Sequence, residues 1–205
     1  MIGEMNIHQI EFLVREGAYS LANHLETHWP AEWDADSETG REVREANTVL
    51  HLGHALLRAG FLTYAEVPHA RDGGAASCFD LVAKNLSDNT WLVAEVKRAY
   101  VSTKSLDSIT RDLERIVRSW RGVDMIDQPA NVYGLFVATT WRADLARWWP
   151  DSDKHPDPSI DAMWANPVAS VTENAKSAWG SVAFSSYFSD QYPHHYLLYA
   201  LFPLV

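Results

Sequence analysis

The chain has one cysteine, Cys78, in 205 residues. That excludes an intrachain disulfide and any metal site built from several thiolates. A long apolar run is also missing. The longest, YLLYALFPLV at 196–205, is about half of what a membrane-spanning helix needs and reads as a buried strand. The opening residues, MIGEMNIHQIEFLVREG, have no basic start followed by an apolar core, so no secretory signal is read there. The expected setting is reducing and cytoplasmic, with no membrane attachment. Basic residues are scarce as well. There are 17 Lys and Arg against 27 Asp and Glu, a formal net charge of −10. Such a balance opposes general affinity for phosphate backbones, although a local patch can run against the sum. No Walker A loop, G-x-S-x-G elbow or H-E-x-x-H helix is present, so the chemistries those motifs serve lack their signatures.

What is present fits one well-buried domain. Hydrophobic residues make up 47% and there are nine tryptophans, which argue for a substantial core. Ile10, Leu13, Val14, Leu21 and Leu25 predict a helix over 5–28. A second helix is expected from Thr39, where Thr39 and Glu42 have the spacing of a capping box, to Gly60, a typical C′ residue. Three strands should follow, at 61–67, 77–85 and 90–97. Trp91 to Ala94 is continuously apolar, as in a strand buried on both faces. A helix over 104–121 is predicted from the stripe Leu106, Ile109, Leu113, Ile116, Val117 and Trp120. A strand is expected at 131–139, a helix at 141–149, a polar loop at 151–158, a short helix at 160–165, and strands at 180–188 and 196–202. The domain thus divides into an N-terminal helical extension (1–38), a core (39–140) and C-terminal helix and strand additions (141–205).

The chemistry-bearing residues sit on two of these strands. Asp80 lies in 77–85; Glu95 and Lys97 lie near the end of 90–97. Residues two apart on a strand share a face, so Glu95 and Lys97 project together. If the strands pair, Asp80 and Glu95 meet at one edge and could hold a hard cation such as magnesium, with the Val96 carbonyl as a third ligand. An ammonium beside such a site can orient or deprotonate water and screen a phosphate. The alternative for Asp80 is a solvent-facing edge residue, and for Glu95 and Lys97 a surface pair of little energetic value.

Asp80, fourteen residues, then Glu95-Val96-Lys97, set on adjacent strands between two amphipathic helices, resembles the PD-(D/E)XK nuclease superfamily. The resemblance covers roughly residues 40–140, with Phe79 where the family name has proline. It implies an α/β fold with a restriction-endonuclease-like core, a mixed central sheet flanked by helices in the order αβββαβ. It further implies Mg²⁺ or Mn²⁺ dependence and a nucleic-acid substrate, usually DNA, with RNA as the alternative. Many members place a further glutamate on the first core helix. Glu45, in line with Val49, Leu52 and Leu56, is the better candidate here than Glu42. Between 97 and 121 seven basic residues face three acidic ones. Of these, Arg98, Lys104, Arg111, Arg115 and Arg118 could form a phosphate-binding flank, with Arg111, Arg115 and Arg118 opposite the apolar stripe. A solvated helix face is the plainer reading. His194-His195 lacks a third ligand at diagnostic spacing, and Cys78 reads as a small buried residue. The acidic net charge favours a rival function: an inactive nuclease-fold binding module, such as an immunity or regulatory protein engaging a basic partner. A homodimer is a further possibility.

Overall fold

The computed structural model describes residues 5–28, 43–69, 77–99, 102–127, 129–149, 177–185 and 194–205. The first helix, α1 (Ile7–His28), begins where Asn6 caps it. The Asn6 Oδ1 accepts the N–H groups of His8 and Gln9, and the Gln9 side chain returns a bond to the Asn6 N–H, a reciprocal cap. Ile10, Val14, Leu21 and Leu25 are buried, as the helical spacing predicts. Helix α2 (Glu45–Arg58) starts later than the sequence suggests. Arg44 is extended at φ −68, ψ 139, so the helix opens at Glu45 and not at Thr39. Thr39 and Glu42 lie outside the described residues. Gly60, at φ 89, does end this helix.

The strands follow as β1 (Phe61–His69), β2 (Ser77–Asn85) and β3 (Thr90–Arg98). The β2–β3 turn is set by side chains that bond their own backbone. Asn85 Oδ1 accepts the Ser87 N–H, Asp88 Oδ1 accepts the Thr90 N–H, and Asn89 takes the left-handed conformation that asparagine tolerates. Helix α3 (Ser102–Ser119) passes through a 3-10 turn at Trp120–Gly122 and leads to β4 (Asn131–Thr140). Then come α4 (Ala143–Trp148), shorter than the predicted 141–149, and strands β5 (Ala178–Ser185) and β6 (His194–Pro203). The predicted loop at 151–158 and helix at 160–165 lie outside the described residues.

The six strands form one sheet in the order β1-β2-β3-β4-β6-β5. Only β3 and β4 are parallel, joined by the α3 crossover; the other four pairings are antiparallel. The protein is therefore α/β with a mixed sheet. Helices α1 and α2 cover one face, meeting Leu81, Leu92, Ala94 and Val96. Helix α3 covers the other, meeting Phe79, Val82, Trp91 and Val93. The alternating neighbours of Trp91–Ala94 are what a strand buried on both faces requires. Gly134 on β4 permits close approach of α3. A Cβ there would come within 2.7 Å of Ile116 and 2.5 Å of Phe202.

Candidate functional site

Asp80 sits where β2 loses its regularity. The β2–β3 ladder runs from Lys84 opposite Trp91 to Leu81 opposite Ala94 and stops. At that fork the Asp80 side chain takes the place of a ladder partner: its Oδ2 accepts the Val96 N–H at 2.6 Å. On the other side, β1 pairs with β2 at Ala65–Leu81 and Val67–Phe79 but not between them, where Glu66 has φ 52. A non-glycine residue at positive φ inside a strand costs about 1–3 kcal/mol and marks a place worth reading for function. The faces confirm the irregularity. Phe79 belongs to the core on the α3 side of the sheet, yet Leu81 belongs to the core on the other side and faces Gly53 of α2. Asp80 also lines a groove of about 750 Å³ between α2 and the β1–β2 hairpin, together with Glu45, Glu66, Val49 and Leu57.

Glu95 and Lys97 share the α3 face of β3, as their spacing predicts. Glu95 is fully buried at 0% exposure. Its Oε2 lies 2.6 Å from Nη2 of Arg115 on α3, a close ion pair not aligned as a hydrogen bond. Its Oε1 has no hydrogen-bond partner among the described residues. Burial, and next the negative charge of Asp80, push the Glu95 carboxyl up to about 8, against the opposing pull of Arg115 and Lys97. Asp80 and Glu95 are thus electrostatic neighbours at the fork. Lys97 Nζ lies 3.7 Å from Asp112 Oδ2. Burial disfavours its charge, but Asp112, Asp80, Glu45 and Glu95 together outweigh that and hold the ammonium above its ordinary value. Asp112, only 6% exposed, is pushed up by burial against Lys97 and Arg115.

Arg115 is not on the solvent face where the helical-wheel reading puts it. Its Nη2 touches both Glu95 and Asp112, the latter at 2.7 Å, and its Nη1 reaches Ser77 Oγ on β2 at 3.4 Å. The guanidinium belongs to the buried network, and a shortened flank remains. Arg111 is exposed. Arg118, 75% exposed, pairs with Glu114 at 3.8 Å. The Lys104 side chain lies outside the described residues. Val117, counted in the apolar stripe, is exposed.

Glu45 stands on the first turn of α2. Its Oε1 accepts the Arg98 N–H at 3.2 Å and pairs with Arg98 Nε at 3.8 Å. Among the described residues no three His, Cys, Asp or Glu side chains lie close enough to hold a metal ion as a group. Glu45 thus reaches the end of β3 through Arg98, and it lines the same groove as Asp80.

Asp112 was open to detection from sequence. It lies three residues after Ile109 and four before Ile116, so it falls inside the apolar stripe. An acid at a core position is a signal, and Arg115 three residues later is its partner. Comparison with protein-family models, curated proteins and solved structures finds no significant match, so the reading of this site rests on its own geometry.

Proposed function

We propose that the chain is a Mg²⁺- or Mn²⁺-dependent nuclease of the PD-(D/E)XK kind, hydrolysing phosphodiester bonds in DNA. The observation that carries this reading is the fully buried Glu95, with one carboxylate oxygen unpartnered, beside Asp80 and on the same strand face as Lys97. A buried carboxylate without a hydrogen-bond partner is costly, and a cation is the partner that would best repay it. The donor set suits magnesium. That ion keeps several waters and is commonly bound through one or two carboxylates plus substrate phosphates, so a third acid is not needed. Asp80 and Glu95 would hold it, with the Val96 carbonyl within the same stretch. The element order from α2 to β4 is αβββαβ, as the family resemblance implies.

When bound, the cation would neutralise charge on the phosphate and acidify a water. The remaining work falls to the chain's own groups. Lys97, held charged by its acidic neighbours, is available to orient the attacking water and to screen the phosphate oxygens. With every group ionised, Glu45, Asp80, Glu95 and Asp112 oppose Lys97, Arg98 and Arg115, a formal charge of −1. A divalent ion makes the site positive. DNA binding by this acidic protein should therefore need the metal.

The binding-module reading has one observation in its favour. Arg115 and the Val96 N–H already engage one oxygen each of Glu95 and Asp80, as in a purely structural network. Plasmid, linear and single-stranded DNA incubated with Mg²⁺ or Mn²⁺ separates the two. The nuclease cleaves at least one substrate and Lys97→Ala abolishes the cleavage. The binding module cleaves none and gives no heat on calorimetric titration with Mn²⁺.

A further inference from the structure

We propose that Asp112 is a positioning residue that keeps the Lys97 ammonium off the carboxylates it works beside; this rests on the metal-site reading above. Lys97 has several acidic groups within electrostatic reach. Asp80, Glu45 and Glu95 all attract it, as does Asp112 on α3, the one that it meets at 3.7 Å. A flexible four-carbon stem lets an ammonium choose among such partners. The pair Asp80–Glu95 is where a cation is wanted, and an ammonium placed there would compete with a divalent ion for the same oxygens. Asp112 draws Lys97 toward α3. Its second oxygen, Oδ1, fixes Arg115 at 2.7 Å, and Arg115 in turn occupies only Oε2 of Glu95. Oε1 stays unpartnered.

The arrangement explains why an acid stands at a core position of α3. Asp112 is almost fully buried, yet packing against Ile109 and Ile116 does not call for a carboxylate. Its two oxygens are divided between two cations of the site, so both are held on the helix side of the strand face. Asp112→Asn keeps shape and hydrogen-bonding capacity but removes the charge. In that variant Lys97 turns to the remaining carboxylates and becomes an inhibitor of the site that it serves.

The test uses the full chain and Mn²⁺ alone as the probe. Calorimetric titration should show affinity about tenfold weaker in Asp112→Asn than in the natural chain, which corresponds to about 1.4 kcal/mol. Lys97→Met added to Asp112→Asn should restore the affinity, because the competitor is gone. A merely structural role for Asp112 predicts no such rescue. Equal affinity in the natural chain and Asp112→Asn, or a double variant no better than the single one, overturns the proposal. A metal-free measurement stands beside it. The Lys97 ammonium should give a distinct NMR signal whose position shifts in Asp112→Asn without any metal. If the natural chain binds no Mn²⁺, the metal reading fails, and competition for its site fails with it. If Mn²⁺ binds normally but the Lys97 signal does not move in Asp112→Asn, the positioning inference alone is overturned.

Discussion

The two helices that cover the middle of the sheet make an instructive contrast. Helix α2 presses Leu52, Gly53 and Leu56 onto one face, and its charged residues lie at its ends or outside. Helix α3 presses Ile109, Leu113 and Ile116 onto the other face, but inserts Asp112 and half of Arg115 between them and meets Glu95 there. Both helices solve the same packing problem. Only one carries charge into the contact, and buried ion pairs are often no better for stability than apolar residues of the same size. Packing alone does not account for the charges on the α3 side, and the proposed chemistry would give them a role, while the α2 side is covered by apolar packing.

The contrast can be broken by substitution. The largest effect is expected at the fork. Asp80→Asn or Glu95→Gln should reduce cleavage by about 100- to 1,000-fold, the scale on which single electrostatic contacts act in catalysis. Both variants should still unfold cooperatively in urea. Loss of folding with loss of cleavage would assign these residues to structure instead. Next in size are apolar truncations. Leu52→Ala under α2 and Leu113→Ala under α3 should each cost about 2–5 kcal/mol in urea unfolding. Neither should change Mn²⁺ affinity at temperatures where the variants are folded. A Leu113→Ala variant with weakened Mn²⁺ binding would mean that α3 packing, and not its charges, sets the site.

The pH dependence of stability sharpens the same comparison. The Glu95 carboxyl titrates at about 8 in the folded chain against 4.5 for the free group. Between those values the folded state holds a proton that the unfolded state has released. This contribution to stability is full below about 4.5, falls as pH rises and is lost above about 8, a change on the order of a few kcal/mol. In chelator, urea unfolding from pH 5 to 9 should show this decline, and Glu95→Gln should remove it. Equal slopes in the two proteins would contradict the buried state of the carboxyl. The smallest effect belongs to the solvent face of α3. Arg111→Ala should weaken metal-dependent DNA binding uniformly across sequences and lower the salt dependence by about one unit of slope. No change would leave the flank as a solvated surface.

Much of this was legible in the chain itself. The hydrophobic patterns mark the elements from α1 to β4 to within a few residues, except for the start of α2. There α2 opens at Glu45 because Arg44 is extended, and Thr39 and Glu42, on which the earlier start is read, lie outside the described residues. Asp80, Glu95 and Lys97 stand out because charges are rare in apolar strands. Asp112 gives a weaker signal, an acid inside the apolar stripe of α3. Arg115 gives none, because on an amphipathic helix a charged residue beside the stripe is read as solvent-facing, and its inward turn depends on Glu95, which is on a different element. The irregularity at Asp80 was also invisible, since the positive φ that marks it falls on Glu66, an ordinary residue in an ordinary strand pattern.

Crystals grown or soaked with Mn²⁺ would test the central claim most directly through the metal's anomalous signal. The account predicts a peak at the fork of β2 and β3, roughly 2.1 Å from one oxygen of Asp80 and one of Glu95, by analogy with the distances of magnesium sites. A well-occupied peak elsewhere, or none at the fork with metal in excess at neutral to alkaline pH, would contradict it.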